Sequence, residues 1–364
     1  MFTQTMKSAF RATALSVATG AAFVLPGVAG AAPVLPSADC LTDPSDITNC
    51  LKFDDFAVYS LAFLNYQNGE GDVSPGDTYY VRSSGQPIND ALVVATSPGG
   101  RRNNTDLGLA GVDDAYNTPN SVPGNSSFVN FLMESPDPSP TFTGDNFNQT
   151  TQGDATLPLW DVLVSDVQSF LGGEDLVFWF NLNEENKGGL DDGQDMYAWG
   201  QVTLTDTATN TSVTFTLSGN DTSLFPEQSA AQTAGDSILP NASDMWAWVH
   251  GEICVDPATG DLVELGPCST SFGDTVNQNL GAGQAAFALY SPDLNTALYS
   301  GLYDLMTVDM RMAHIDNGYE QLFILNSDIP TNVPVPGTIL LLGLGLIGMA
   351  GVSLLPRGGR RAAA

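Results

Sequence analysis

Positive charge is what this sequence has least of. Its 364 residues carry 11 Lys and Arg against 41 Asp and Glu, a formal net charge of −30 at pH 7. Phosphate backbones are held by clustered Lys and Arg, so the imbalance excludes a general nucleic-acid-binding surface. Histidine is scarcer still, with only His250 and His314. That leaves little material for a Ser-His-Asp or Cys-His relay or a zinc hydrolase, and His250-Gly251-Glu252 lacks the HExxH spacing. Charged residues of both signs make up only 14% of the chain while apolar types reach 43%, so this is no disordered acidic polymer and it can bury a sizeable core. No internal repeat of fixed period is present.

What the chain has in quantity is turn chemistry. With 37 Gly, 22 Pro and abundant Asn, Ser and Thr, it favours turns and short strands over long helices. The expected fold class is mainly β: a β-sandwich-like body with long loops, between residues 32 and 332. The strands expected are Phe56 to Leu64, Thr78 to Arg82, Leu92 to Ala95, Leu176 to Phe180, Tyr197 to Thr205, Thr211 to Leu217, Met245 to Val255, Asp304 to Ile315 and Glu320 to Leu325. Val202 to Thr205 and Val213 to Leu217 alternate apolar and hydroxylated residues, the signature of a half-buried strand. Asp206 to Asn210 is expected to turn one hairpin, and Asp316-Asn317-Gly318 to join the last two strands in another. Apolar recurrence every three or four residues predicts a helix over Trp160 to Leu171, and a second is expected within Ala285 to Tyr303. Pro98 to Asn125 and Pro136 to Gln152 read as long surface excursions or a domain seam near residue 150.

The two ends read as addresses. Residues 1–31 place Lys7 and Arg11 before an uncharged run and finish at Ala29-Gly30-Ala31, the order of a secretory signal peptide with a small-residue cleavage site. Thr338 to Leu355 is an uncharged stretch followed by Arg357, Arg360 and Arg361. About 17 to 25 apolar residues cross a bilayer, so residues 338–355 are expected to form one C-terminal transmembrane helix. Its arginines keep the cytoplasmic side, which places the body outside. Gly343-Leu344-Gly345-Leu346-Ile347-Gly348 matches the GxGxxG spacing but lies within this apolar segment, without the strand and helix that give the motif meaning. All 41 acids lie between the two addresses, where only six of the 11 basic residues remain.

Val333, Pro334, Val335, Pro336, Gly337 and Thr338, the apolar run behind them and the terminal arginines resemble the PEP-CTERM sorting signal. Val335 stands where the usual motif has Glu. The resemblance covers residues 333–364. It implies recognition by an exosortase, a membrane cysteine transpeptidase of Gram-negative bacteria that make extracellular polysaccharide. It implies nothing about the chemistry of the body, because such tails are attached to many unrelated domains.

Within the body, four cysteines allow three connectivities; pairing Cys40 with Cys50 and Cys254 with Cys268 closes two short loops and suits an exported chain. The densest polar constellation is Asn181, Asn183, Glu185, Asp191, Asp192 and Asp195. Oxygen ligands at alternate positions followed by glycines are what calcium requires, although this is no EF-hand, because Asn186 sits where that loop needs glycine. The same composition also makes an ordinary acidic turn. Trp179, Trp199, Trp246 and Trp248 could stack on sugar rings or fill a core, and Trp246 and Trp248, two apart, share one strand face. Acid pairs such as Asp54-Asp55 or Asp113-Asp114 single out no glycosidase site among 41 acids. The expected function is that of an exported, non-catalytic cell-surface or matrix protein. The alternative is a calcium-dependent carbohydrate-binding protein or carbohydrate-active enzyme, with extracellular polysaccharide as partner.

Overall fold

The structure is a computed structural model that describes residues 33–83, 91–96, 109–113, 115–118, 129–132, 159–184, 194–219, 239, 244–270, 272–315 and 320–325. Residues 1–31 and 333–364, read from the sequence as a signal peptide and a sorting tail with a transmembrane helix over 338–355, lie outside these. Among the described residues no helix is long and apolar enough to cross a membrane.

The chain is mainly β. In order it forms α1 (Asp39–Thr42), β1 (Leu51–Phe53), β2 (Phe56–Ser60), α2 (Leu61–Gln67), β3 (Ala91–Thr96), β4 (Tyr116–Asn117), β5 (Val129–Leu132), β6 (Trp160–Leu163), α3 (Val164–Leu171) and β7 (Val177–Phe180). There follow β8 (Met196–Asp206), β9 (Thr211–Leu217), β10 (Ala247–Val249), β11 (Glu252–Val255), β12 (Leu262–Leu265), β13 (Asp274–Asn277), β14 (Phe287–Tyr290), α4 (Pro292–Leu298), β15 (Leu305–Ile315) and β16 (Leu322–Leu325). The first sheet runs β1-β2-β14-β7-β16-β3-β4 and draws strands from both sides of residue 150. The second runs β10-β8-β15-β5, with β9 beside β8 and β6 beside β15; a small third sheet is β12-β11-β13. All pairs are antiparallel except β3 with β4.

Burial explains why the strands of the first sheet read as unbroken apolar runs. Phe178, Phe180, Phe287, Leu289, Leu322 and Ile324 face a core shared with the second sheet, while Trp179, Ala288 and Phe323 face the other way, beneath Leu35, Ala38, Cys40 and Leu41 of the N-terminal segment. A sheet covered on both faces has no polar side to present. The second sheet keeps alternation. Met306, Val308, Met310 and Met312 of β15 enter the shared core, and Thr307, Asp309 and Arg311 take the opposite face.

Several expectations need correction. The predicted strand Phe56 to Leu64 ends at Ser60, whose hydroxyl accepts the Phe63 N–H at 3.2 Å and opens α2. The predicted helix Trp160 to Leu171 begins as a strand, because Trp160 to Leu163 pair with Val308 to Leu305; its period changes from two to three or four only at Val164. Ala285 to Tyr303 splits in the same way into β14 and α4, with Ser291 as cap. Thr78 to Arg82 forms no strand beyond a single bridge from Arg82 to Gln284. Met245 to Val255 breaks at His250-Gly251 into β10 and β11, which belong to different sheets. The last two strands are not a hairpin: β15 lies between β8 and β5 or β6, whereas β16 lies between β7 and β3. Leu322 to Leu325 are apolar at every position and fit the doubly covered sheet, and the Asn317-Gly318 turn lies outside the described residues.

Two details follow the sequence closely. β9 spans Thr211 to Leu217 as expected and pairs with β8 through the Asp206 to Asn210 turn, where Asn210 takes φ 56°. The disulfides are Cys40–Cys50 and Cys254–Cys268. Gly273 packs against the second of these, since a Cβ there would stand 2.3 Å from the Cys254 sulfur and 2.6 Å from that of Cys268.

Candidate functional site

The polar residues that the fold gathers lie at the start of β8. Asp195 immediately precedes the strand, and β10 runs antiparallel to it with Trp248 opposite Tyr197. Period two then puts Tyr197, Trp199, Trp246 and Trp248 on the face of the second sheet turned away from the shared core, where they form a cluster of their own with Ala313. Tyr197 lies 6.3 Å from both Trp246 and Trp248, and Trp248 stacks on His250 at 4.2 Å. The aromatic rings are buried, which bears out core packing for Trp246 and Trp248.

Three charged groups are set into this cluster. Asp195 is only 5% exposed, and its carboxylate accepts the Gly251 N–H at 2.7 Å and the Trp248 indole N–H at 3.0 Å. The His250 Nδ1 stands 3.5 Å away, too far for a good hydrogen bond, and both ring nitrogens are buried without a hydrogen-bond partner. Gly251 is required for this turn, since a Cβ there would fall 2.9 Å from the Gln194 carbonyl oxygen and nearer still to its Cβ. Two strands away, the Arg311 guanidinium grips Asp309 with two hydrogen bonds, at 3.2 and 2.9 Å, and lies 5.2 Å over Trp199. A bidentate fork satisfies both partners, which is how a buried pair is tolerated.

Chemically this is an Asp–His corner with no nucleophile. No hydroxyl or thiol meets either nitrogen of His250, and every cysteine is in a disulfide. His314 lies in β15, and its side chain is outside the described residues. Of the six residues read as a calcium loop, Glu185, Asp191 and Asp192 also lie outside them. Asn181 is fully buried at the end of β7, and its carboxamide oxygen accepts the Gln321 N–H, tying β7 to the start of β16. Asn183 is half-buried beyond it. Of the described members, Asn181 is tied into the first sheet and Asp195 stands at the start of the second. Among the described residues no group of three or more His, Cys, Asp and Glu could hold a metal ion.

Sequence reasoning missed the Asp309–Arg311 pair and buried Glu184 and Glu320. Asp309 and Arg311 were discoverable, because an Asp-x-Arg inside a Met/Val alternation must share one face. Glu320 precedes β16 and carries no periodic signal.

The fold and this corner define a disulfide-stapled, antiparallel β protein with a buried aromatic and carboxylate cluster on its second sheet. Residues 41–311 match the family described as a domain of unknown function (DUF8239), and the chain belongs to that family. No curated protein and no solved structure matches it.

Proposed function

We propose that this chain is an exported, non-catalytic protein of the cell surface or extracellular matrix. In this reading its body is a β-sandwich anchored by a transmembrane helix over residues 338–355, and an exosortase-type membrane transpeptidase sorts it through residues 333–364. The observation that carries the reading is the pairing of all four cysteines into two local disulfides, the economy of a chain that matures in an oxidising compartment. The signal-peptide order of residues 1–31 and the tripartite tail support it from the sequence. A body this rich in acids also suits a hydrated, polysaccharide-rich exterior, where divalent cations would bridge it to anionic polymers.

Fractionation of cells expressing the full chain and a chain truncated before Val333 tests the proposal. The full chain is expected in the envelope or released after C-terminal processing, and the truncated one in the soluble exported fraction without processing. Identical distribution and identical processing of the two would sink the sorting claim, and a full chain retained in the cytoplasm with reduced thiols would sink export.

A further inference from the structure

Small residues open a space between the two main sheets. On the inward face of β8, Ala198 and Gly200 stand between Met196 and Val202, opposite Phe178, Phe180 and Leu289. Glycine is not demanded by the backbone at Gly200, whose φ is outside the left-handed region. Nor is it demanded by crowding, since a Cβ there would find its nearest neighbours 3.9 Å away. A glycine in a strand interior weakens the strand and often marks a place where something else comes close. Gly200 lines a cavity of about 150 Å³.

The shape and lining of that cavity are informative. Its wall on the first sheet is built from β1, β2, β14, β7 and β16, five strands that are neighbours in that order. At about 4.8 Å per strand that wall is about 19 Å across, so the space is a broad, flat slot between the sheets. Among the described residues its titratable lining is His250 and Asp309, and the Asp309 carboxylate is turned away to Arg311. Val58, Ala198, Gly200 and Leu289 line the slot yet are only half-buried, which means that it communicates with solvent. Most of the lining named is apolar, and a wall that crosses five strands suits an extended apolar ligand.

We propose that this inter-sheet slot binds the unbranched hydrocarbon chain of an amphiphile, with the head group left at the mouth. The site is independent of how the protein is delivered. It lies on the core side of β8 and is bordered by Trp199, Trp248 and His250 of the aromatic cluster.

The test is photolabelling of the full chain in lipid nanodiscs with dodecanol carrying a mid-chain diazirine, read by peptide mass spectrometry. Saturable labelling is expected on peptides of β8, β9 and β15, competed away by unmodified dodecanol. Gly200→Leu and Ala198→Leu fill the slot and should each cut that labelling at least tenfold, with melting temperature unchanged or raised. Labelling of residues 338–355 should not change, which separates the slot from general partition into lipid. A second probe, a phospholipid with a diazirine in one acyl chain, distinguishes a membrane source from a free amphiphile: labelling by it assigns the chain to a bilayer lipid, and labelling by dodecanol alone to a soluble one. Labelling of the slot that neither saturates nor competes, or that persists in both variants while they remain folded, overturns the proposal. If neither variant folds, competition on the unaltered chain decides it in the same two directions.

Discussion

A buried carboxylate survives only where donors surround it, and Asp195 shows what that demands of single residues. Its two oxygens take one backbone N–H and one indole N–H. Asp195→Asn keeps the shape but turns an amide N–H₂ toward one of those donors, leaving it unsatisfied. A loss of about 1–3 kcal/mol is expected, read as a lower urea midpoint; an unchanged midpoint would show the corner to be energetically idle. Tyrosines supply a second residue-scale test. Burial, with Tyr290 and Asp39 nearby, pushes the Tyr59 hydroxyl up to about 12, and burial with a hydrogen bond to Asp175 does the same for Tyr290. Because their folded values lie above the ordinary 10.0, the stability they contribute is complete below about pH 10 and is lost as pH climbs through about 12. Phenolate absorbance should therefore show Tyr59 and Tyr290 ionising well above pH 10, together with alkaline unfolding. Uniform titration near pH 10 in the folded protein would contradict this.

At the scale of elements, the β8–β9 hairpin is locked to the start of β15 by Asp304. The Thr207 hydroxyl and backbone N–H both donate to its carboxylate, at 2.5 and 2.8 Å, and hold it below its ordinary 3.8. A lowered value means stability that is present above that ordinary value and lost as pH falls through the lowered one. Asp304→Asn should flatten the acid limb of the stability profile below about pH 4. The change should stay under about 1 kcal/mol because the group is exposed to solvent. An acid limb identical to that of the unaltered chain would remove the lock. This hairpin was legible because alternation and turn chemistry are both local. The strand-to-helix junctions were not. Ser60 and Ser291 are good caps in a chain full of serine, and only the pairing of Phe56–Ser60 and Phe287–Tyr290 with each other shows where strand stops and helix starts.

At the scale of the whole molecule, one disulfide fastens the N-terminal segment beside β1 and the other closes a loop within the small third sheet. Cys40–Cys50 secures the segment that covers Trp179 and Phe323, and Cys254–Cys268 spans the third sheet from β11. Replacing either pair by serine should cost about 2–3 kcal/mol from loop closure alone, measured as a lower melting temperature without reductant. With reductant, the unaltered chain should melt like the double replacement. A variant as stable as its parent would show the bridges to be redundant.

What the sequence by itself determined is what depends on neighbours along the chain: the mainly β class, the β8–β9 hairpin, the acidic balance, and the cysteine pairs 10 and 14 residues apart. The tertiary structure decided which sheet each strand joins. Met245 to Val255 looks like one strand, yet the turn at His250-Gly251 sends its halves to different sheets, and β16 leaves β15 for the doubly buried sheet. It also decided that Asn181 and Asp195 serve separate sheets. Sheet membership follows from which faces are covered and which edges are already paired. Those are properties of strands more than 200 residues apart, as when Phe287–Tyr290 joins Ala57–Ser60, and no local period encodes them.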